Sequence, residues 1–274
     1  MPGKPPIVVM DIDNTILDPS RRKARAFIDA VKSTGSVIVN PATIKRINAA
    51  SRSSFDFAPM KKIVDKEIDD LVFRRFLSND YLVMHGRVMD DPVPGSVEFL
   101  NDAVANGCHV AYVTGRSWGE WQDKRKKTTP MTGMVPGTLE SLRKLGYPVP
   151  TYPPSPGDPV TIAFKENRSV KDEVYKPAET RELNEAGDVV AIFEDSKKVL
   201  EAVKKGFPGI SRVAVLIYPD MKEKDFGCLP RSQRKITEFV PGSAVRGGVE
   251  CVKDFSGVKV LPGCKISVNN KAMT

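Results

Sequence analysis

IVVMDIDNTILD, residues 7–18, ends an apolar run on a carboxylate, Asp11, and places a second, Asp13, two positions on, with Thr15 just beyond. Burying a carboxylate without a partner is costly. Ile7-Val8-Val9-Met10 running straight into Asp11 therefore reads as a buried strand that stops where the fold opens to a crevice. Four more short apolar segments share this character: HVAYV (109–113), VTIAF (160–164), VVAIF (189–193) and RVAVLIY (212–218). They are β-branched and mostly non-alternating, as in strands covered on both faces. Helices with readable ends lie between most of them. Pro94-Gly95 opens SVEFLNDAVANG and Gly107 closes it; Thr138 opens TLESLRKLG, closed by Gly146. Pro177 opens PAETRELNEAG, closed by Gly187, and Ser196 opens SKKVLEAVKKG, closed by Gly206. Caps or first-turn residues at the start and glycine after the end mark helix boundaries. The alternation predicts an α/β fold with a parallel sheet, helices on both faces, and a site beyond the carboxyl ends of the strands.

The exception lies between the first two strands, where nearly a hundred residues intervene. Asn40-Pro41 starts a short helix with Ile44 and Ile47 on one face. Pro59 starts another, in which Met60, Val64, Ile68, Val72 and Phe76 recur every four residues. The expected division is a core of residues 1–18 and 86–230, a small helical insertion over 19–85, and a C-terminal extension, 231–274. The extension reads as short strands and turns packed on the core, or as a loose tail. YPVPTYPPSPGDP (147–159) reads as an extended connector.

With 274 residues and 41% hydrophobic composition, the chain has ample material for a core. No apolar run approaches the roughly 18 residues of a membrane span. The N-terminus, MPGKPPIVVM, lacks the features of a signal or transit segment, so a cytoplasmic location is expected. Cys108, Cys228, Cys251 and Cys264 form no CxxC pair and have only His85 and His109 as potential companions, so reduced structural cysteines are expected. Residues 21–75 hold 13 Lys and Arg against 6 Asp and Glu, which accounts for most of the net charge of +8. A basic segment on a nearly neutral body suits an anionic ligand, or is simply a solvated helical surface.

Polar groups converge at the strand ends. The first strand ends in Asp11-Ile12-Asp13, the second in Thr114-Gly115-Arg116, the fourth in Glu194-Asp195-Ser196. One such residue would be an ordinary helix cap; three clusters at corresponding ends are hard to attribute to capping. Asp11, Asp13, Glu194 and Asp195 in one crevice would resist ionisation together. A hard cation relieves this, and Mg²⁺ prefers oxygen ligands and leaves positions for water and phosphate. Lys165 and Lys176 are candidates for the counter-charge. Acids, a hydroxyl and a lysine around Mg²⁺ make a phosphoryl-transfer site.

DIDNT (11–15), YVTGR (112–116) and FEDS (193–196) resemble, in order and strand context, three motifs of the haloacid dehalogenase superfamily. The resemblance spans residues 7 to about 218 and implies a Rossmann-like sheet with a helical cap between the first and second motifs. It implies Asp11 as nucleophile, forming an aspartyl-phosphate. Asp13 then acts as general acid, and afterwards as base. Mg²⁺ would be held by Asp11, the Asp13 backbone carbonyl and Asp195, while Glu194 would bind through water or steady the lysine. Thr114 and backbone N–H groups would hold phosphoryl oxygens. An acid/base two positions after the nucleophile favours hydrolases and mutases over ion pumps. The third motif is a lysine before the helix leading to FEDS, and Lys176 is preferred over Lys165 because Pro177 opens that helix. Thr15, Gly115, Arg116, Lys165 and Arg168 are the expected substrate contacts.

The expected activity is Mg²⁺-dependent hydrolysis of a phosphomonoester on a small phosphorylated metabolite or nucleotide. Two clues pull apart. Capped members act mostly on small molecules, whereas KENRSVKDEVYK (165–176) is similar to a stretch of polynucleotide 3′-phosphatase domains. Trp118 and Trp121, followed by QDKRKK, either stack on a base or lie on an amphipathic helix. A phosphomutase, a phosphonate hydrolase, a receiver domain and a non-catalytic phosphate- or nucleic-acid-binding module are the competing readings. Receivers are about half this length and carry their Asp on a middle strand, and the intact Asp11, Asp13, Thr114 and Asp195 argue against lost chemistry.

Overall fold

The computed structural model describes residues 4–34, 39–53, 58–64, 90–117, 121–122, 128–129, 134–151, 155, 157–166, 169–206, 213–217, 237–239, 249–252 and 254–268. Its centre is a six-stranded sheet. In chain order the strands are β1 (Pro6–Met10), β2 (Leu17–Asp18), β3 (Asp91–Pro92), β4 (His109–Ser117), β5 (Trp121–Gln122), β6 (Thr128–Thr129) and β7 (Val160–Lys165). They continue as β8 (Asp188–Glu194), β9 (Val213–Ile217), β10 (Thr237–Phe239), β11 (Val249–Val252), β12 (Val258–Leu261) and β13 (Lys265–Val268). The main sheet runs β11-β9-β8-β1-β4-β7, with every pair parallel. The chain winds outward from β1 to one side, then returns to β8 and winds to the other. The reversal beside β1 leaves the crevice at its carboxyl end.

Successive residues of a strand face opposite sides, which explains the unbroken apolar run. Val8 and Met10 enter a core with Phe99, Leu100, Tyr112 and Phe193. Ile7 and Val9 enter another with Val113, Ile192, Val199 and Leu200. Helix Ser96–Ala105 buries Phe99, Leu100 and Ala103, and helix Lys197–Gly206 buries Val199, Leu200 and Val203. Each set is one stripe at helical spacing. Ser196 caps the latter helix by accepting from Val199 N at 3.4 Å.

Two helices begin earlier than their sequence signals suggest. Helix Met134–Lys144 starts ahead of Thr138, whose hydroxyl donates to Met134 O at 2.7 Å. Pro136 falls in its first turn, where a missing N–H is tolerated. Helix Asp172–Ala186 starts ahead of Pro177, which lies inside it. Asp172 and Glu173 in its first turn favour that start by opposing the helix dipole. Lys176 is therefore on the helix rather than before it.

The described parts of the C-terminal segment are built into the core. β11 extends the main sheet, and β10-β13-β12 form an antiparallel sheet of their own. Phe255 stacks against Phe99 and Phe193 at 5.2 and 5.3 Å. Gly95, at φ 76°, admits this turn: a Cβ there would lie 2.9 Å from the Phe255 carbonyl carbon. Cys108 and Cys264, both buried, form a disulfide with Cα atoms 5.2 Å apart, which corrects the expectation of reduced cysteines for this pair. They are 156 residues apart, and no spacing rule connects them.

The chain leaves the core at β2 and returns at β3; the two strands pair antiparallel and form a neck. Beyond it stand helices Ser20–Thr34, Pro41–Ser53 and Ala58–Lys61. Ala24, Phe27, Ile28, Val31, Ile47 and Met60 give them a core of their own. Helix Ser20–Thr34 carries no start signal singled out in the sequence, although positions 24, 27, 28 and 31 share a face. The expected continuation from Met60 through Phe76 lies, beyond Val64, outside the described residues. Trp121–Gln122 and Thr128–Thr129 pair antiparallel as β5 and β6, so Trp121 stands on a strand and not on the expected helix, and Trp118 lies outside the described residues.

Candidate active site

Asp11 follows β1 directly, and its N–H donates to Phe193 O on β8 at 3.0 Å. The chain then turns tightly. Asn14 adopts φ 64°, and Ile16 and Leu17 both donate to Ile12 O, at 3.1 and 3.0 Å. Asn is one of the few residues with a side chain that accepts this left-handed conformation readily. The turn swings the Thr15 hydroxyl back to donate to Asp11 Oδ2 at 3.1 Å. Glu194 and Asp195 lie at the end of β8, the neighbouring strand.

Lys176 projects from helix Asp172–Ala186 between them. Its Nζ donates to Asp11 Oδ1 and to Glu194 Oε2, each at 2.7 Å, with all three side chains buried. Glu194 Oε1 accepts from Ser196 N at 3.1 Å. One lysine thus faces three carboxylates, since one oxygen each of Asp11, Glu194 and Asp195 lie within 4.8 Å of one another. Three oxygen donors in excess of their counter-charge fit a hard divalent cation.

The electrostatics record that excess. Burial, then the Glu194 charge, raises the Asp11 pKa to about 7, against the pull of Lys176. Burial likewise raises Glu194 to about 8, and burial followed by the Asp11 charge raises Asp195 to about 6. Lys176 is shifted upward too: burial opposes its charge, but Asp11 and Glu194 outweigh that. Raised carboxyl values mean that the metal-free folded protein holds protons the unfolded chain has released. Its stability therefore falls as pH rises from about 4 to about 8. A cation competes with those protons, so its binding tightens over the same window. Mg²⁺ is expected to raise the melting temperature relative to EDTA, and by more at pH 8 than at pH 6. Thermal melts at both pH values test this, and an equal shift at both would contradict it.

Asp13 lies in a second cluster. Arg116 grips it in bidentate fashion, Nε to Oδ2 at 2.9 Å and one terminal nitrogen to Oδ1 at 2.8 Å. Arg22, from the helical insertion, donates to the same Oδ1 at 2.7 Å. Both arginines also pair with buried Asp90, Arg22 at 2.9 Å and Arg116 at 3.4 Å. Arg116 further donates to Thr138 Oγ1 at 2.9 Å. The fork geometry of guanidinium suits this bridging role.

The remaining expected residues are placed as follows. Thr114 is buried on β4, two residues past Tyr112, which pairs with Met10; its Oγ1 accepts from Arg116 N at 3.2 Å. Gly115 packs so closely on Asp172 that a Cβ would lie 2.7 Å from Oδ2. Arg116 is placed on Asp13 and Asp90. Lys165 pairs with Asp172 at 2.7 Å and donates to Val170 O at 3.1 Å, whereas Lys176 is the lysine on Asp11. Arg168 lies outside the described residues. Arg22 and Asp90 were not singled out in the sequence. Arg22 sits in the run SRRK, and nothing in such a run tells a buried guanidinium from a solvated one.

No protein-family model matches the chain, and no curated protein matches it by sequence. Among solved structures, it is similar to a proposed β-phosphoglucomutase from Thermotoga maritima. That match has 18% identity and TM-score 0.46, and covers 81% of this chain and 92% of that one. It is similar to CbbY from Rhodobacter sphaeroides in complex with phosphate, at 14% identity and TM-score 0.42, over 91% and 94%. A haloacid dehalogenase-like family hydrolase from Streptococcus pneumoniae matches at 13% and 0.38, over 76% and 83%. Likeness at this level carries no chemistry across; the side chains must.

Proposed function

We propose that the chain is an Mg²⁺-dependent phosphomonoester hydrolase of the haloacid dehalogenase type, acting through an aspartyl-phosphate on Asp11. The observation that carries this is the Asp11–Lys176–Glu194–Asp195 cluster at the carboxyl ends of adjacent parallel strands. Asp11 attacks phosphorus, and the bond from phosphorus to the leaving oxygen breaks. Asp13 gives that oxygen its proton, then takes one from the water that cleaves the bond between phosphorus and Asp11. Lys176 holds Asp11 in place and offsets its charge; Thr15 fixes the other carboxylate oxygen. Asp11, Asp195 and the Asp13 carbonyl would hold Mg²⁺, with Glu194 nearby, and the bound ion would supply charge stabilisation to the phosphoryl oxygens.

A small phosphorylated metabolite or nucleotide is the substrate class favoured, because a helical insertion stands at the site, where its Arg22 touches Asp13. Among the described residues, no helix is long and apolar enough to cross a membrane. A cytoplasmic location, expected from the N-terminus, is opposed by the Cys108–Cys264 disulfide, since such bonds persist mainly in oxidising compartments. The test is a panel of sugar phosphates, nucleotides, p-nitrophenyl phosphate and 3′-phosphorylated oligonucleotides, with Mg²⁺ and with EDTA. Phosphate release from small esters, abolished by EDTA, is expected. Release from the oligonucleotides alone would overturn the substrate class, and release from none would overturn the activity.

A further inference from the structure

We infer that Arg22 is a positioning residue for Asp13, so that the helical insertion helps to set the catalytic acid/base; this rests on the reaction proposed above. Asp13 is partly open, at 27% exposure, whereas Arg22 is wholly buried. The guanidiniums hold both carboxylate oxygens, Oδ2 by Arg116 and Oδ1 by Arg116 and Arg22, and so fix the orientation of a carboxylate that solvent still reaches. Arg116 alone already supplies a complete bidentate grip. Arg22 adds a contact on Oδ1 from a different part of the molecule, at the first turn of helix Ser20–Thr34, two residues into it. Its Nε is anchored on Asp90, which directly precedes β3 of the neck. Arg22 and Asp90 thus span the departing and returning strands of the insertion. Any movement of the insertion about this neck must move the Arg22 nitrogen that touches Asp13. A misplacement of about 1 Å in a catalytic group costs on the order of 10²-fold in rate.

A leaving-group comparison separates positioning from folding. A p-nitrophenolate leaves without much help from a proton, whereas a glycerol alkoxide needs one. Arg22→Met together with Asp90→Asn removes one cation and one anion, leaving the Arg116–Asp13 pair intact. This double variant is expected to lose about 10²-fold in kcat on glycerol 2-phosphate and under about 10-fold on p-nitrophenyl phosphate. KM and melting temperature should change little. Arg22→Lys keeps the charge but not the two-point fork, and should show the same selectivity to a smaller degree, which also serves if the double variant does not fold. Equal losses on both esters, or none, in either folded variant would overturn the assignment. Native protein that hydrolyses neither ester would instead overturn the phosphatase reading, and the inference with it.

Discussion

Asp11→Asn is expected to lower phosphate release by at least about 10⁴-fold, because the loss of a nucleophile is not compensated by the groups around it. The amide has nearly the same shape, and removes a charge that is expensive where it stands. Burial and the Glu194 charge both oppose ionisation of Asp11, and its displaced pKa of about 7 records that opposition. The variant should therefore fold at least as well as the native protein in the absence of metal, and be as stable or more so at pH 8. Inactivity together with retained stability is the signature of a chemical role. A variant that melts early would point to a structural one, and a variant with near-native turnover would remove Asp11 from the reaction altogether.

Lys176→Met is expected to damage both stability and turnover. Met fills most of the same space, so the change isolates the charge. Without the ammonium, Asp11 and Glu194 lose ion pairs of 2.7 Å in a buried setting. Breaking such a pair from one side costs about 3–5 kcal/mol, since the remaining charge stays buried. Here the stranded groups can take up protons instead, and their pKa values already lie at about 7 and about 8 with the lysine in place. Lys176 lowers both, so the variant raises them further. Its stability deficit must therefore be smallest near pH 6 and grow towards pH 8. Mg²⁺ should recover part of it, as a second cation for the same carboxylates. Turnover should fall by about 10²–10³-fold, the usual cost of removing one charge-stabilising group. Urea denaturation at the two pH values, with and without Mg²⁺, tests the sign. A deficit independent of pH would mean that the lysine is not compensating the carboxylates.

The parts of the fold legible in the sequence were those governed by local pattern. The five apolar segments are five strands of the main sheet, because a strand covered on both faces leaves a continuous apolar run. The strand-end motifs were legible because a polar group next to such a run must have somewhere to go. What escaped was governed by distance or by competition. Cys108 and Cys264 meet across 156 residues, and sequence spacing cannot express that. Pro177 looked like a first-turn residue, yet Asp172 and Glu173 start the helix earlier despite the hydrogen bond that a proline removes. Lys176 was therefore favoured over Lys165 on an argument that does not hold, although it is the lysine that sits on Asp11. Arg22 and Asp90 escaped because their meaning depends on each other. A charged residue is read as solvated until its partner, 68 positions away, is seen beside it.

The central claim is a covalent phosphoryl group on Asp11, and it is tested most directly by trapping. In Asp13→Asn, a good leaving group should still depart while hydrolysis of the intermediate stalls. Mixed with p-nitrophenyl phosphate and Mg²⁺, this variant should release a burst of about one p-nitrophenol per chain. Acid quenching and borohydride reduction should then convert residue 11 to homoserine, identified by mass spectrometry of the peptide that contains it. The conversion should require both the ester and Mg²⁺. A burst with the reduced carboxyl group at another position, or sustained hydrolysis with residue 11 unmodified, would contradict the account.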